Sequence, residues 1–431
     1  MTHHKTSGEA SVEGLAPVDA EERILTLDVL RGLALLGVII ANMQWFSGLV
    51  FRLRVPAFRV GLVQALSLDS AAFHAIGILV NGKAIATLSF LFGLGFAMQM
   101  LRAERRGVSV VSLYCRRLAV LLAFGLVHTV FLWYGDILSL YAVLGFALLW
   151  AARRSDRTLL VLAGILLVGL PLAIGTMTMV TSTVGVSPDA PVGGLSRAEL
   201  GAATLAVFQS GTYPQIVREN VVLTLQFYEG VQGLTNLQYL GLFLLGLYAG
   251  RRRVFERVAA HDATLWRIAV WGLVVGLSSS IVQEGVVTAV GRRAAFERSD
   301  LALLMNVLTI GTFVQAAGYI ATVTLLLEHP SWKRWLSAFV PAGQMALTNY
   351  LTQTVVCLAI FYGFGAGLIG RTGPALGLAI ALAIYATQMI WSRLWLSRFR
   401  MGPLEWVWRS GTYGRRQPLL STEPAIAAHV V

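Results

Sequence analysis

The sequence predicts an all-α polytopic integral membrane protein of about ten transmembrane helices, with one additional re-entrant or interfacial helix. Three observations carry that reading. The 431 residues are 56% hydrophobic and only 13% charged, about half the charge of an ordinary soluble domain, and the mean hydropathy is +0.69. The apolar residues come in unbroken runs long enough to span a bilayer as helices, not in the alternation of a membrane barrel. The arginines fall in short clusters between those runs, where loop charge sets topology.

Residues 1–22 are polar (His3, His4, Lys5, Glu9, Asp19, Glu21, Glu22). They cannot form the apolar core of a signal peptide and read as a disordered cytoplasmic tail. Apolar runs follow at about 29–50, 83–101, 118–134, 137–152, 158–182, 234–250, 265–290, 301–327, 344–369 and 374–392. A crossing helix needs about 20 residues, and these qualify with modest tilt or shortening.

Residues 60–80 are apolar enough to cross but contain Asp69 and His74. Arginine counting settles their place. If they cross, the loop 102–117 with Arg102, Arg105, Arg106, Arg116 and Arg117 falls outside the cell. If they stay on the outer side, that loop is cytoplasmic, together with Arg153, Arg154, Arg157, Arg251 to Arg253, Lys333 and Arg334. The second arrangement obeys the positive-inside rule far better. It places both termini in the cytoplasm and the polar interval 183–220 on the extracytoplasmic side. The transmembrane domain is then 23–409, and 410–431 is a cytoplasmic tail.

The net charge of +12 follows from the loop arginines. No basic helix with interleaved aromatics points to nucleic acid. Cys115 and Cys357 have no disulfide or metal-ligand spacing and read as free thiols. No metal site is expected.

Charged and strongly polar side chains are costly within a bilayer, so each marks a candidate functional position. Asp28 and Arg31 are three apart on one helix face. They either cap and anchor the first helix or bind a polar headgroup or cofactor phosphate. Asn42 follows Arg31 by three helical turns, on the same stripe about 16 Å away. A second group is Arg116, Arg117, His128, Trp133, Asp136 and Tyr141. His128 lies well inside its helix, where an imidazole serves as a general base or proton relay, or else as a hydrogen-bond partner of a neighbouring helix. Asp136 is eight residues on, about 12 Å along a straight helix, so contact with His128 requires the chain to turn back at Gly135.

Lys83, in Asn81-Gly82-Lys83, either neutralises an acidic substrate or snorkels to the outer interface. Gly93 and Gly95 favour close helix packing. Asn349 and Gln353 are one turn apart, as are Gln344 and Thr348. Interhelical hydrogen bonding is their plainest role. Residues 402–409, Gly-Pro-Leu-Glu-Trp-Val-Trp-Arg, read as a short amphipathic helix with aromatic anchors at the cytoplasmic interface.

These segments resemble the YeiB-like family of bacterial membrane proteins. The matching pieces are Leu27-Asp28-x-Leu30-Arg31-Gly32 with Asn42, Gly82-Lys83 before Leu91-Phe92-Gly93, His128 with Gly135-Asp136-Ile137-Leu138 and Tyr141, residues 343–353, and Gly402-Pro403-Leu404-Glu405-Trp406. In order, they cover nearly the whole chain. The family is similar to a wider class of transmembrane acyltransferases, among them heparan-α-glucosaminide acetyltransferase and enzymes that decorate surface sugars. The resemblance implies a bacterial inner-membrane location, a homodimer among membrane lipid, and an acyl-coenzyme A (acetyl-coenzyme A) donor taken from the cytoplasm. It implies acyl transfer to an extracytoplasmic or lipid-linked acceptor.

The surface-sugar enzymes carry a histidine eleven residues after the arginine, and here that position is Asn42, which cannot act as a base. Either His128 or His74 is then the base, or the chemistry is absent and the scaffold serves another role. On the acyl-transfer reading the catalytic set is His128, Asp136 and Asn42. The donor-binding set is Asp28, Arg31, Lys83, Arg116, Arg117, Tyr141, Asn349 and Gln353. The competing reading is a transporter or flippase of an acidic or lipid-like solute using the same polar stripe.

Overall fold

A backbone inside hydrocarbon must satisfy its own polar groups, and long runs of Leu, Ala, Val and Ile do so as helices. The computed structural model follows that rule, and it describes residues 24–105, 107, 111–183, 196–228, 230–290 and 298–420. The expected N-terminal tail, the Ser187–Gly194 stretch, and the last part of the C-terminal tail lie outside the described residues. Among those described, every named element is helical, and seven helices are long and apolar enough to cross a membrane.

The chain runs through α1 (Leu25–Phe46), α2 (Leu68–Leu79), α3 (Lys83–Arg105), α4 (Val111–Val127) and α5 (Leu138–Ala151). Then comes α6, which starts at Asp156–Gly164 and runs through a π-turn into Leu170–Thr183. It continues with α7 (Arg197–Ser210), α8 (Tyr213–Tyr228), α9 (Leu237–Arg251), α10 (Val258–Val290) and α11 (Ser299–Leu326). The last three are α12 (Ala346–Phe361), α13 (Pro374–Leu396) and α14 (Pro403–Tyr413). All ten predicted apolar runs are helical, the shorter α5, α9 and α12 running beside the seven long spans.

Most of the clustered arginines gather at one end of the bundle. There Arg251 donates to the carbonyls of Ala152 and Arg154 and pairs with Asp156. α1 starts at this end, with the Gly343–Gln344 turn packed on its first turns.

The segment around residues 60–80 differs from a surface helix. Its main helix, α2, enters the bundle from the end opposite the arginines. Asp69 Oδ1 accepts from the Ala375 N–H at the start of α13, and His74 Nδ1 lies 2.9 Å from Glu284 Oε1 of α10. The helix stops part-way, at the level of Gly37 in the middle of α1. Gly82, with φ +81°, then redirects the chain into α3. The break frees carbonyls inside the bundle, and each freed group needs a donor. Gln315 Nε2 serves Ile78 O at 3.1 Å, Tyr319 serves Leu79 O at 3.2 Å, and Lys83 Nζ serves Gly77 O at 3.1 Å. α2 and α3 therefore form the two parts of one broken pass.

Packing adds to two of the expectations. Helix α14 docks against the bundle. Its Glu405 is 6% exposed, and Trp408 Nε1 donates to Arg117 O at 3.0 Å. The tail beyond it folds back as well, since Arg400 N donates to Leu419 O and Trp406 Nε1 to Gln417 O.

Candidate functional site

At the arginine-rich end, the first turns of α1, most of α3, and α4, α5, α12 and α14 surround a cavity of about 320 Å³. That is the lower range of ligand sites. Arg31, Arg102, Arg117 and Arg409 stand round its mouth with Asp28 and Glu405. Deeper in, the walls become apolar and aromatic, with Leu35, Leu88, Phe92, Tyr141, Ile137 and Tyr350. The cavity thus has a cationic mouth and a greasy interior.

Each charge is held by a partner. Arg31 Nη1 donates to Asp28 Oδ1 at 2.7 Å, and Gln344 Nε2 reaches Asp28 Oδ2 at 3.3 Å. The Arg117 guanidinium stacks 3.9 Å from the Trp408 ring centroid, a geometry that leaves its N–H edge available. Glu405 accepts from the N–H groups of Leu347 and Thr348 at 2.6 and 3.0 Å and from Thr348 Oγ1 at 2.5 Å. It caps α12 from another helix. Burial pushes its carboxyl above the ordinary range, against the pull of these donors.

That cap carries a stability prediction. Glu405→Ala leaves two buried N–H groups without an acceptor, at a cost of about 2–4 kcal/mol. The detergent-solubilised protein should melt several degrees lower. Glu405→Gln, which keeps one carbonyl acceptor, should lose less. Equal melting of wild type and Glu405→Ala would count against the cap.

Behind Tyr350 lies the histidine. His128 opens a π-turn, His128–Leu132, at the end of α4, where Trp133 N donates to His128 O at 2.8 Å. The chain then reverses, and at Gly135 a Cβ would overlap the Trp133 indole. The reversal brings Asp136 back, so that His128 Nδ1 lies 2.9 Å from Asp136 Oδ1. The contact that a straight helix would forbid is therefore made. Asp136 Oδ2 also accepts from Ser139 N and Ser139 Oγ, both at 2.7 Å. With the carboxylate acting as acceptor on both oxygens, Nδ1 is the donor and Nε2 is the nitrogen left to take a proton. Nε2 meets Thr354 Oγ1 at 2.9 Å. His128 is 1% exposed, and its ring centroid lies 5.3 Å from that of Tyr350.

Over this turn sits α8, which starts inside the polar interval 183–220 and runs beyond it. Tyr213 donates to Phe131 O, Asn220 Nδ2 to Val130 O and Leu132 O, and Tyr228 meets Ser139 Oγ at 3.3 Å.

The chain is 34% identical over 418 residues to "Uncharacterized protein YxaH" of Bacillus subtilis (strain 168), covering 95% of this chain and 98% of that protein. It belongs to the YeiB-like family. Residues 249–415 match the family described as "Protein of unknown function (DUF418)". The E. coli (strain K12) "Uncharacterized protein YeiB" is 26% identical over 410 residues, 93% of this chain and 99% of that protein. An "Uncharacterized 39.9 kDa protein in amylase 3'region" of Bacillus acidopullulyticus is 28% identical over 416 residues, 95% of this chain and 99% of that protein.

Of the catalytic and donor-binding residues expected in this YeiB-like sequence, Asp28, Arg31, Arg117 and Tyr141 line the cavity. His128 and Asp136 pair one layer behind it. The others stand elsewhere. Arg116 is exposed. Asn42 is half-buried and does not line the cavity. Lys83 is 2% exposed and caps the broken helix, so it does not snorkel. Asn349 donates to Ala342 O and Ser392 Oγ, and Gln353 to Gln388 Oε1. They join α12 to α13. His74, the alternative base, pairs with Glu284 outside the cavity lining. Cys115 and Cys357 are free thiols.

Sequence reasoning missed Thr354, Tyr350, Arg102 and Arg409 as site residues, and it gave Glu405 no structural role. A threonine and a tyrosine in an apolar run carry no pattern of their own. The one available signal was spacing, since Tyr350 and Thr354 are one turn apart on a single face.

Proposed function

We propose that this protein transfers an acyl group from acyl-coenzyme A to a hydroxyl-bearing acceptor. One observation carries the reading: a cavity that runs from four arginines to an aromatic floor, with a histidine–aspartate pair directly behind it. Arginine is well suited to phosphate, because its planar donors bind two oxygens at once. An amphiphilic anion therefore enters with its phosphates at Arg31, Arg102, Arg117 and Arg409, and its pantetheine arm and acyl group lie between Leu35, Leu88 and Phe92. Along α4, His128 is eleven residues beyond Arg117, about 16 Å of helix rise. That span suits an extended arm.

His128, oriented by Asp136, takes the proton of the acceptor hydroxyl at Nε2 and returns it to the leaving thiolate. On the distribution of positive charge, the arginine end faces the cytoplasm, both termini lie there, and the membrane is the bacterial inner membrane. The acceptor then approaches from the α8 side.

Binding tests the donor half. Acetyl-coenzyme A should stabilise the purified protein against heat. Arg117→Ala should weaken binding roughly tenfold or more, the worth of one charge-assisted hydrogen bond. Absence of any thermal shift at millimolar concentration would remove the donor from the scheme.

Transport is the second reading, and the broken pass α2–α3 favours it. Interrupted helices whose freed carbonyls meet polar groups inside the bundle recur in transporters, and Lys83 with the His74–Glu284 pair occupies that break. Uptake of an acidic solute into liposomes by a protein that cleaves no thioester would decide for it.

A further inference from the structure

Tyr350 touches both halves of the site on which the acyl-transfer reading rests. Its side chain lines the cavity, and its ring faces the His128 imidazole at 5.3 Å between centroids. The residue is 5% exposed; the Ile137 backbone N–H approaches its phenolic oxygen, but its O–H finds no acceptor among the described residues. A buried O–H left without an acceptor is destabilising, so its presence beside a reactive pair calls for an acceptor that arrives with substrate.

The neighbouring tyrosines sharpen the contrast. Tyr141 also lines the cavity, but its hydroxyl is engaged by Ser89 Oγ at 2.6 Å and Ile85 O at 3.1 Å. The Tyr114 O–H has no acceptor either, but Tyr114 lies on α4 one turn before Arg117 and far from His128. One turn beyond Tyr350, Thr354 already occupies Nε2 of His128. On α12, then, one residue engages the base, and the one a turn before it lines the cavity with an O–H that has no acceptor.

We propose that Tyr350 is a catalytic residue whose phenolic O–H hydrogen-bonds to the thioester carbonyl oxygen of the acyl donor. The acceptor oxygen bonds to the carbonyl carbon while its proton passes to His128 Nε2. The carbonyl π electrons move onto oxygen, where the Tyr350 O–H stabilises the developing negative charge. Collapse of this intermediate breaks the carbon–sulfur bond, and the coenzyme A thiolate leaves with the proton held by His128. No electron is gained or lost overall, and the products are the acyl ester and free coenzyme A.

The experiment uses the full chain purified in detergent, with acetyl-coenzyme A as donor and water as acceptor, and measures release of free thiol. Tyr350→Phe removes one oxygen atom and keeps the ring. Its kcat should fall about 100-fold, the usual effect of losing one oxyanion donor. The Kd for coenzyme A should stay within about twofold, since no ground-state contact is lost. The melting temperature should stay close to wild type, because the deleted O–H has no acceptor in the free protein.

A variant with wild-type kcat overturns the assignment. So does one that melts several degrees lower and loses coenzyme A binding in proportion, since that marks a structural tyrosine. Wild-type protein that releases no thiol overturns the acyl-transfer reading itself, and this inference with it.

Discussion

His128→Asn lowers acyl transfer by roughly 10²–10⁴-fold, the range expected when a positioned general base is removed, and leaves the donor bound. Asparagine is the informative replacement. Its amide N–H₂ takes the place of Nδ1 and donates to Asp136, so the buried carboxylate keeps a partner. It has no nitrogen that can accept a proton. His128→Ala mixes two effects, because it strips a donor from a carboxylate buried at 5% exposure and leaves Thr354 without its acceptor. Its melting temperature should therefore fall along with activity.

The measurement is transfer from radiolabelled acetyl-coenzyme A in membranes, beside the thermal shift produced by acetyl-coenzyme A. His74→Ala is the control. His74 pairs with Glu284 and lines no part of the cavity, so it should retain most activity. Turnover near the wild-type level in His128→Asn would remove His128 from the chemistry.

Gly93→Leu should have the largest effect on folding. A Cβ at Gly93 would overlap the Phe243 carbonyl of α9, and one at Gly246 on α9 would overlap the Phe90 carbonyl of α3. The two helices meet backbone to backbone through this pair. No side-chain rotation relieves such an overlap, so the axes must separate. The stacked rings of Phe92 and Phe243, 4.7 Å apart, would part with them.

A cost of about 3–5 kcal/mol is expected from overpacking at a site that cannot yield. The protein should extract poorly and elute as aggregate on size exclusion. Gly95 is the internal control, since a Cβ there meets nothing within 4 Å. Gly95→Ala should melt at or above the wild-type temperature, helped by the better helix propensity of alanine. A monodisperse Gly93→Leu with unchanged melting would refute this contact. The sequence placed both glycines in one packing role, but only Gly93 has it; Gly95 opens onto the cavity.

Composition and apolar run length determined that this chain is a bundle of membrane helices, because hydrocarbon admits few other ways to satisfy a backbone. The ten runs stand as helices, with ends that differ from the predicted ones by up to eight residues, as at 344–369 against Ala346–Phe361. The pairing of Asp28 with Arg31 was also legible, because three-residue spacing on a helix is a short-range fact.

Three features depended on tertiary structure. The His128–Asp136 contact requires a π-turn and a reversal at Gly135, and helical periodicity has no term for a chain that doubles back. Lys83 reads as a partner for an acidic substrate or an interfacial snorkel until the break at Gly82 is seen to leave carbonyls that need a donor inside the bundle. Asn349 and Gln353 stand next to Tyr350 and Thr354 on α12, about 100° round the helix. Only the packing of α13 on one side and α4 on the other decides which pair is structural and which faces the histidine. A sequence states which residues are polar. Which of them find partners, and which are left with an open valence toward a cavity, depends on the neighbours that distant segments supply.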